Sequence, residues 1–115
     1  MPITSRYIFM ASMDVEADKE DLFNEVYDTE HVPYLLDVAG VHAVTRIVGE
    51  DFAVMMAGER QDKPRVGPRH TAMYEIDGPE VLLSDAWGEA VERGRWAEKV
   101  RPYTSNRQHQ LFKVR

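Results

Sequence analysis

The first third of the chain changes from a continuous apolar run to a helical repeat of apolar and polar positions. Residues 6–13 (RYIFMASM) are aromatic or apolar at nearly every position, which indicates a strand covered on both faces. Behind Glu16 the apolar residues recur at helical spacing among charged ones, so we predict an amphipathic first helix. Because proline lacks an N–H and clashes with the preceding turn, Pro33 should break or kink this helix, and Gly40 should close it as a left-handed cap.

The middle of the chain predicts strands followed by a polar connection. Residues 41–48 alternate β-branched and polar side chains, and a second apolar run follows at 52–57. This pattern indicates one long bulged strand or two short strands. Residues 59–68 (ERQDKPRVGP) are polar and hold two prolines and a glycine, so we expect a mobile loop there and a candidate lid.

The last third of the chain predicts a strand, a helix and a strand. Residues 69–76 read as the third strand. In the second helix Ser84 can cap a turn, and Gly94 should end it. Residues 95–104 should form a basic connection, and residues 106–114 have the length and aromatic content of a fourth strand.

The order of these elements predicts an α+β, ferredoxin-like β-α-β-β-α-β domain that spans residues 1–115. Its four-stranded antiparallel sheet should carry both helices on one face. The first strand is nevertheless apolar on both sides, with Phe9 on one and Met10 on the other. We therefore expect the uncovered face to pack against a second copy of the chain through a two-fold axis, which would form a dimeric α/β barrel.

Composition limits the classes of function. The 115 residues contain no cysteine, which excludes disulfides and thiolate chemistry, and no run approaches the roughly 20 apolar residues that span a bilayer. We expect no membrane partner and, without a secretion signal, a cytoplasmic protein. The formal net charge of −6 argues against nucleic acid as a partner.

The charges are unevenly distributed along the chain. Eight acidic residues fall between Asp14 and Glu30, whereas seven of the fourteen basic residues lie from Arg93 to Arg115. This asymmetry could serve packing between subunits, or it could attract a small anion to the basic end. The alternative is two solvated faces.

The segment 27–35 (YDTEHVPYL) and the Gly-Val pair at 40–41 resemble the helix-to-strand junction of the dimeric α/β-barrel superfamily, with EthD-type members nearest. There an aromatic residue, a histidine four positions on and a proline two beyond recur. Ala39 stands where that family usually has a proline. The Ser-x-x-Trp start of the second helix, at 84–87, is also similar.

That resemblance implies a fold rather than one activity. The superfamily includes quinone-forming monooxygenases, polyketide cyclases, lactone isomerases and haem-degrading proteins, which differ in substrate and chemistry. It therefore implies no particular substrate for this chain.

His31 is the candidate catalytic residue. Positions 23, 27 and 31 are successive four-residue steps, so the imidazole should continue the stripe that Phe23 and Tyr27 turn toward the sheet. An unperturbed histidine pKa near 6.5 suits proton transfer. Glu30 lies about 100° round the helix and is less well placed. In the alternative, His31 bonds the backbone near Pro33 and merely fixes the bend.

Aromatic side chains should wall a pocket between the first helix and the sheet. The candidate substrate-binding residues are Tyr7, Phe9, Tyr27, Tyr34, Arg46 and Tyr74, although each aromatic could instead be core. An inward arginine on a strand would need a carboxylate or an anionic ligand, or a salt bridge at the surface.

Other residues give weaker signals. Trp87 should be core, whereas Trp96 could lie at a rim or interface because Arg95 and Lys99 flank it. No HxH or HxxxH pair exists, so we expect no metal site, and strand alternation leaves open which faces His42, His70 and His109 occupy.

Three functions remain open at this point. The first is a cofactor-independent enzyme of the cyclase, isomerase or monooxygenase type, in which His31 performs acid–base chemistry on an aromatic or polyketide-like compound. The second is a non-catalytic module that binds or senses a hydrophobic small molecule. The third is a haem-handling protein, which the superfamily resemblance and the available histidines suggest.

Overall fold

A four-stranded antiparallel sheet forms the centre of the computed structural model, which describes residues 3–115. The sheet order is β2-β5-β1-β6, and a separate two-stranded hairpin pairs β3 with β4. This topology confirms the predicted α+β, ferredoxin-like fold class. The strands are β1 (Tyr7–Val15), β2 (Val41–Val48), β3 (Phe52–Met56), β4 (Glu59–Lys63), β5 (His70–Ile76) and β6 (Thr104–Lys113).

The first helix runs past its proline without the predicted break. A 3₁₀ turn (Ala17–Lys19) leads into α1 (Glu20–Val26), a π-helical turn (Tyr27–His31) and α2 (Val32–Leu36), all in right-handed helical conformation. Pro33 lies in the first turn of α2. The wider π turn directly before it gives the ring room, so the disturbance appears as a bulge rather than a break. Gly40, at φ +91°, ends the following turn in the left-handed conformation expected of it.

The second helical layer is built from short pieces. A 3₁₀ turn (Pro79–Leu83) precedes α3 (Asp85–Ala90), and the Ser84 hydroxyl accepts the Trp87 N–H at 3.1 Å, so the predicted cap is confirmed. The predicted basic connection is largely helical instead: a π-helical turn (Trp96–Val100) and a 3₁₀ turn (Arg101–Tyr103) lead into β6. Within residues 3–115, no helix has the length and apolar content that crossing a membrane requires.

The polar segment after β3 corrects the predicted loop at 59–68. Its first half is β4, which pairs with β3 across a two-residue turn in which Ala57 and Gly58 have φ values of +53° and +79°. Such primed turns favour tight hairpins. A strand is recognised in a sequence by its alternation of buried apolar and exposed polar residues. The hairpin does not show this alternation, because every residue of β3 is exposed.

The central sheet has two different faces. Tyr7, Phe9, Ala11, Met13 and Val15 of β1 contact the helical layer and its apolar core. The alternate residues of the sheet face away from the helices, and no helix of the described chain covers them. They include the apolar residues Ile8, Met10, Ile47, Met73 and Phe112, together with Ser12 and Thr71, whose hydroxyls are 2.7 Å apart.

Candidate functional site

A cavity of about 270 Å³ lies between the sheet, the first helix and the helical segments that precede β6. Its walls are aromatic and apolar, and its polar groups are basic. The aromatic residues are Phe9, Tyr27, Tyr74, Trp87 and Trp96, and the aliphatic ones are Ala11, Met13, Leu35 and Val91. The basic residues are His31, Arg101, Arg107 and His109. A concave apolar site with a few polar groups is the usual form of a small-molecule site.

Four of the seven candidate site residues line this cavity, namely Phe9, Tyr27, His31 and Tyr74. Tyr7 and Tyr34 pack against the core elsewhere. Arg46 lies outside the cavity, on the far side of Tyr27, with its guanidinium 4.8 Å from that ring centroid. It donates to Asp28 at 2.9 Å and to Asn24 at 2.8 Å. The inward arginine is thus satisfied by a carboxylate of the first helix rather than by a ligand.

His31 is buried, 5% exposed, at the end of the π-helical turn. Its ring stacks on Trp96 with centroids 4.3 Å apart and planes at 21°, and it meets the edge of Tyr27 at 5.1 Å. The buried Nδ1 has no hydrogen-bond partner among residues 3–115. A backbone bond that would fix the bend at Pro33 is therefore not made by this nitrogen.

Burial also determines the charge of His31. Desolvation and, to a smaller extent, the nearby Arg101 guanidinium lower the pKa of the imidazole to about 4, and the carboxylate of Glu92 opposes them only in part. The imidazole is therefore neutral at pH 7, and it has a lone pair available for a proton.

Two buried tyrosines lie beside the imidazole. The hydroxyls of Tyr27 and Tyr74 are 3.2 Å apart, so one donates to the other and one proton is left for a ligand. Burial raises the pKa of both phenols, and the hydrogen bond and charges around them are smaller influences. Both phenols stay protonated at pH 7 and can serve as hydrogen-bond donors.

Removing both of these hydroxyls should cost less stability than the sum of the two single removals. Tyr27→Phe leaves the Tyr74 hydroxyl buried without its partner, so we expect a loss of about 1–3 kcal/mol in the free energy of unfolding. Tyr27→Phe combined with Tyr74→Phe should lose less than the two single losses together, because no orphaned hydroxyl remains. Urea unfolding of the three variants measures this coupling, and strictly additive losses would contradict the pairing.

Glu30 fixes the position of the segment around Arg95, which leads into the cavity residue Trp96. Its carboxylate accepts the backbone N–H of Arg95 at 2.9 Å and the Arg95 Nε at 2.6 Å, and these bonds lower the pKa of Glu30. Gly94 approaches so closely, at φ +71°, that a Cβ there would lie within 2.4 Å of the Glu30 carboxylate. The clamp fixes the chain one residue before Trp96, the ring that stacks on His31.

The charged residues that flank Trp96 favoured a position at the rim of a pocket or at an interface. The structure buries Trp96 in the core instead. The side chain is 3% exposed and touches Phe23, Tyr27 and His31 through their rings. Local sequence could not reveal this burial, since it depends on rings of the first helix that lie far away in the sequence. Trp87, expected in the core, is partly exposed and lines the cavity against Phe9.

The sequence pattern also did not predict which basic residues line the cavity, namely Arg101, Arg107 and His109. Arg101 is neutralised by Glu92, to which its guanidinium donates at 3.0 and 2.5 Å. Arg107 donates to the Thr104 hydroxyl at 2.8 Å and lies 3.8 Å from the Met13 sulfur. Desolvation and, secondarily, Arg107 lower the pKa of His109. The only sequence signal for these residues was the excess of basic residues after position 93.

The other two histidines lie away from the cavity. His42 Nε2 is 2.5 Å from Asp77, and His70 Nε2 is 3.2 Å from Glu20. Across residues 3–115 the structure brings together no group of three histidine, aspartate or glutamate side chains that could hold a metal ion.

Neither a family model nor a curated protein matches this sequence. Solved structures do match in shape. A point mutant of MhuD with two manganese protoporphyrin IX molecules bound per active site aligns with a TM-score of 0.60 at 11% identity, over 94% of this chain and 93% of that one. An EthD family protein from Bacillus halodurans C-125 aligns with a TM-score of 0.58 at 11% identity, over 96% and 99%. The chain thus has the ferredoxin-like fold that its order of strands and helices predicted.

Proposed function

We propose that this chain, with its ferredoxin-like fold, binds a small planar aromatic or polyketide-like compound in the cavity and that His31 takes a proton from it. The observation that carries the proposal is a buried imidazole, neutral at pH 7, that lines an aromatic cavity and makes no hydrogen bond through its Nδ1. A general base needs both a free lone pair and a fixed orientation, and the stack on Trp96 supplies the second.

The low pKa of His31 limits the substrates that this base could serve. A conjugate acid with a pKa of about 4 makes a weak base, so the substrate must be acidic by itself. Enolisable carbons between two carbonyl groups and phenols meet this condition. The one hydroxyl proton that the Tyr27–Tyr74 hydrogen bond leaves free can then be donated to the oxygen on which negative charge develops. The reaction class is proton transfer in a cyclase-, isomerase- or monooxygenase-like reaction, and it needs no cofactor.

A proton-abstraction probe tests the proposal without knowledge of the substrate. In 5-nitrobenzisoxazole a base removes the ring C–H proton, the N–O bond breaks, and its electron pair stays on the oxygen of a coloured cyanophenolate. The wild-type protein should accelerate this ring opening over buffer with saturation kinetics. Binding of the probe without acceleration would instead favour the non-catalytic binding module.

The binding module remains the second candidate because the walls of the cavity are largely apolar and aromatic. It predicts that 2-naphthol raises the melting temperature of the protein and that this stabilisation survives His31→Phe.

Haem handling is the third candidate, because the MhuD mutant of similar shape has a porphyrin bound. A volume of about 270 Å³ suits one to three fused rings better than a tetrapyrrole. A Soret band after haemin addition would support haem handling.

We also propose that two copies of the chain associate through the outer sheet face and the β3–β4 hairpin. A two-stranded hairpin is marginally stable by itself, and within residues 3–115 the strands β3 and β4 pair only with each other. Phe52, Val54 and Met56 share one side of the hairpin by strand alternation, and all three are exposed. An apolar hairpin next to an apolar sheet face fits a second identical surface.

Phe52→Glu should weaken this association, because it would place a charge in an apolar interface. We expect the dimer dissociation constant to rise by at least about 10-fold, measured by sedimentation equilibrium. Leu83→Glu is the matched control, since Leu83 is 88% exposed on the helical side, away from the outer sheet face. A monomeric wild-type protein at micromolar concentration would contradict the proposal.

A further inference from the structure

We propose that Arg107 is the anion-binding residue of the cavity and that the natural ligand is therefore an aromatic or polyketide-like carboxylic acid. This inference rests on the proposed function, because it assigns a ligand class to the same cavity. The carboxylate would lie against the guanidinium at the mouth, and the ring system would lie among the aromatic walls.

The strand geometry directs Arg107 toward the cavity. His109 and Leu111 pair with Ala11 and Phe9, so alternate residues of β6 face the helical side, and Arg107 continues that row. The ladder between β1 and β6 is shifted just before it, where Asn106 has a φ of +56° and donates to Asp14 at 2.8 Å. Such a bulge with a non-glycine residue at positive φ is a feature that often aims a side chain at a site.

Charge distinguishes Arg107 from its neighbours. Arg46, Arg95 and Arg101 each have a carboxylate within 4 Å. Among residues 3–115 no carboxylate lies that close to Arg107, whose recorded side-chain partners, the Thr104 hydroxyl and the Met13 sulfur, are both neutral. A guanidinium has five N–H donors, so most remain free for a ligand.

The surroundings favour an anion at this place. Arg101 is neutralised by Glu92, and His31 is neutral at pH 7, so the net charge of the cavity comes from Arg107 in a chain whose formal net charge is −6. Guanidinium and carboxylate form paired, charge-assisted hydrogen bonds, which are stronger beside apolar walls than in water. A neutral aromatic compound would leave this charge unused.

Two probes of equal shape test the assignment, namely 2-naphthoate and 2-naphthamide, titrated by calorimetry against the full chain at pH 7. We expect wild-type protein to bind the naphthoate about 10- to 100-fold more tightly than the amide. Arg107→Gln should remove this preference while leaving the affinity for the amide within about 3-fold. Arg107→Lys should keep part of the preference, because the charge remains and the paired geometry is lost. Arg60→Gln, on the hairpin, is the matched control and should change neither affinity.

The outcomes separate this inference from the function on which it rests. Equal affinity of the two probes, or a preference that survives Arg107→Gln, would overturn the anion assignment and leave the aromatic cavity intact. If neither probe binds folded wild-type protein, the proposed ligand cavity is wrong and the anion assignment fails with it. A melting curve of Arg107→Gln ensures that a lost preference is not lost folding.

Discussion

His31→Phe lowers the rate of 5-nitrobenzisoxazole ring opening by about 10²- to 10⁴-fold, the usual contribution of one well-placed general base. Phenylalanine keeps a flat ring over Trp96 and removes both nitrogens, in a ring that is one atom larger. The unpartnered Nδ1 disappears with them, so the free energy of unfolding at pH 7 should stay equal or rise. A fall in activity without a fall in stability would separate a catalytic imidazole from a structural one.

The matched control lies in the same cavity. His109 also lines it but is more exposed than His31, and His109→Phe should leave the rate within a few-fold of wild type. The pH profile of the wild-type rate gives an independent check. It should be flat at neutral pH and fall as the pH approaches about 4, where His31 becomes protonated. An inflection near 6.5, or a rate lost with His109 instead, would assign the base elsewhere.

The same pKa has a consequence for acid stability. The unfolded chain protonates His31 near pH 6.5 and the folded chain only near 4, so the unfolded state binds more protons between these values. Stability should therefore fall as the pH is lowered through this window, by up to about 3 kcal/mol from this group. His31→Phe should lack that part of the acid sensitivity, which urea unfolding at pH 7 and pH 4.5 would show. Equal pH dependence in both proteins would contradict the burial of a neutral imidazole.

Trp96→Ala lowers the free energy of unfolding by about 3–5 kcal/mol, the typical cost of truncating a large buried aromatic residue. The indole is 3% exposed and joins the helical segment after Gly94 to the first helix through three rings. Urea unfolding followed by circular dichroism measures the loss. Trp87→Ala is the comparison, because Trp87 is partly exposed and should cost less. Equal losses for the two tryptophans, or a loss below about 1 kcal/mol for Trp96, would contradict this packing.

The fold was accessible from the sequence because its strands and helices carry regular apolar patterns. The stripe of Phe23, Tyr27 and His31 continues through the π turn, since each step still returns close to the same face. The left-handed turn at Gly40 and the helix cap at Ser84 could also be predicted, because each of these conformations selects few residue types. These features depend on neighbours in sequence, which is the information that a single chain provides.

The missed features depend on partners far apart in sequence. Trp96 is buried against aromatic rings of the first helix that lie at least 65 residues earlier in the chain. The sequence did not predict the hairpin strand β4, because none of its residues is buried and its polar sequence resembles that of a loop. Arg107 faces the cavity as part of a long-range ladder with β1. Propensity and periodicity contain no term for such pairings.

The π-helical turn also makes the imidazole sensitive to chain length. A π turn holds one more residue than the α-helical turn that it replaces, so deletion of a single residue such as Thr29 would restore a regular ladder. The imidazole would then follow Tyr27 by three α-helical positions, about 60° short of a full turn, and its stack on Trp96 would be lost. The positions of α2 would keep their face of the helix, because the π turn absorbs the extra residue.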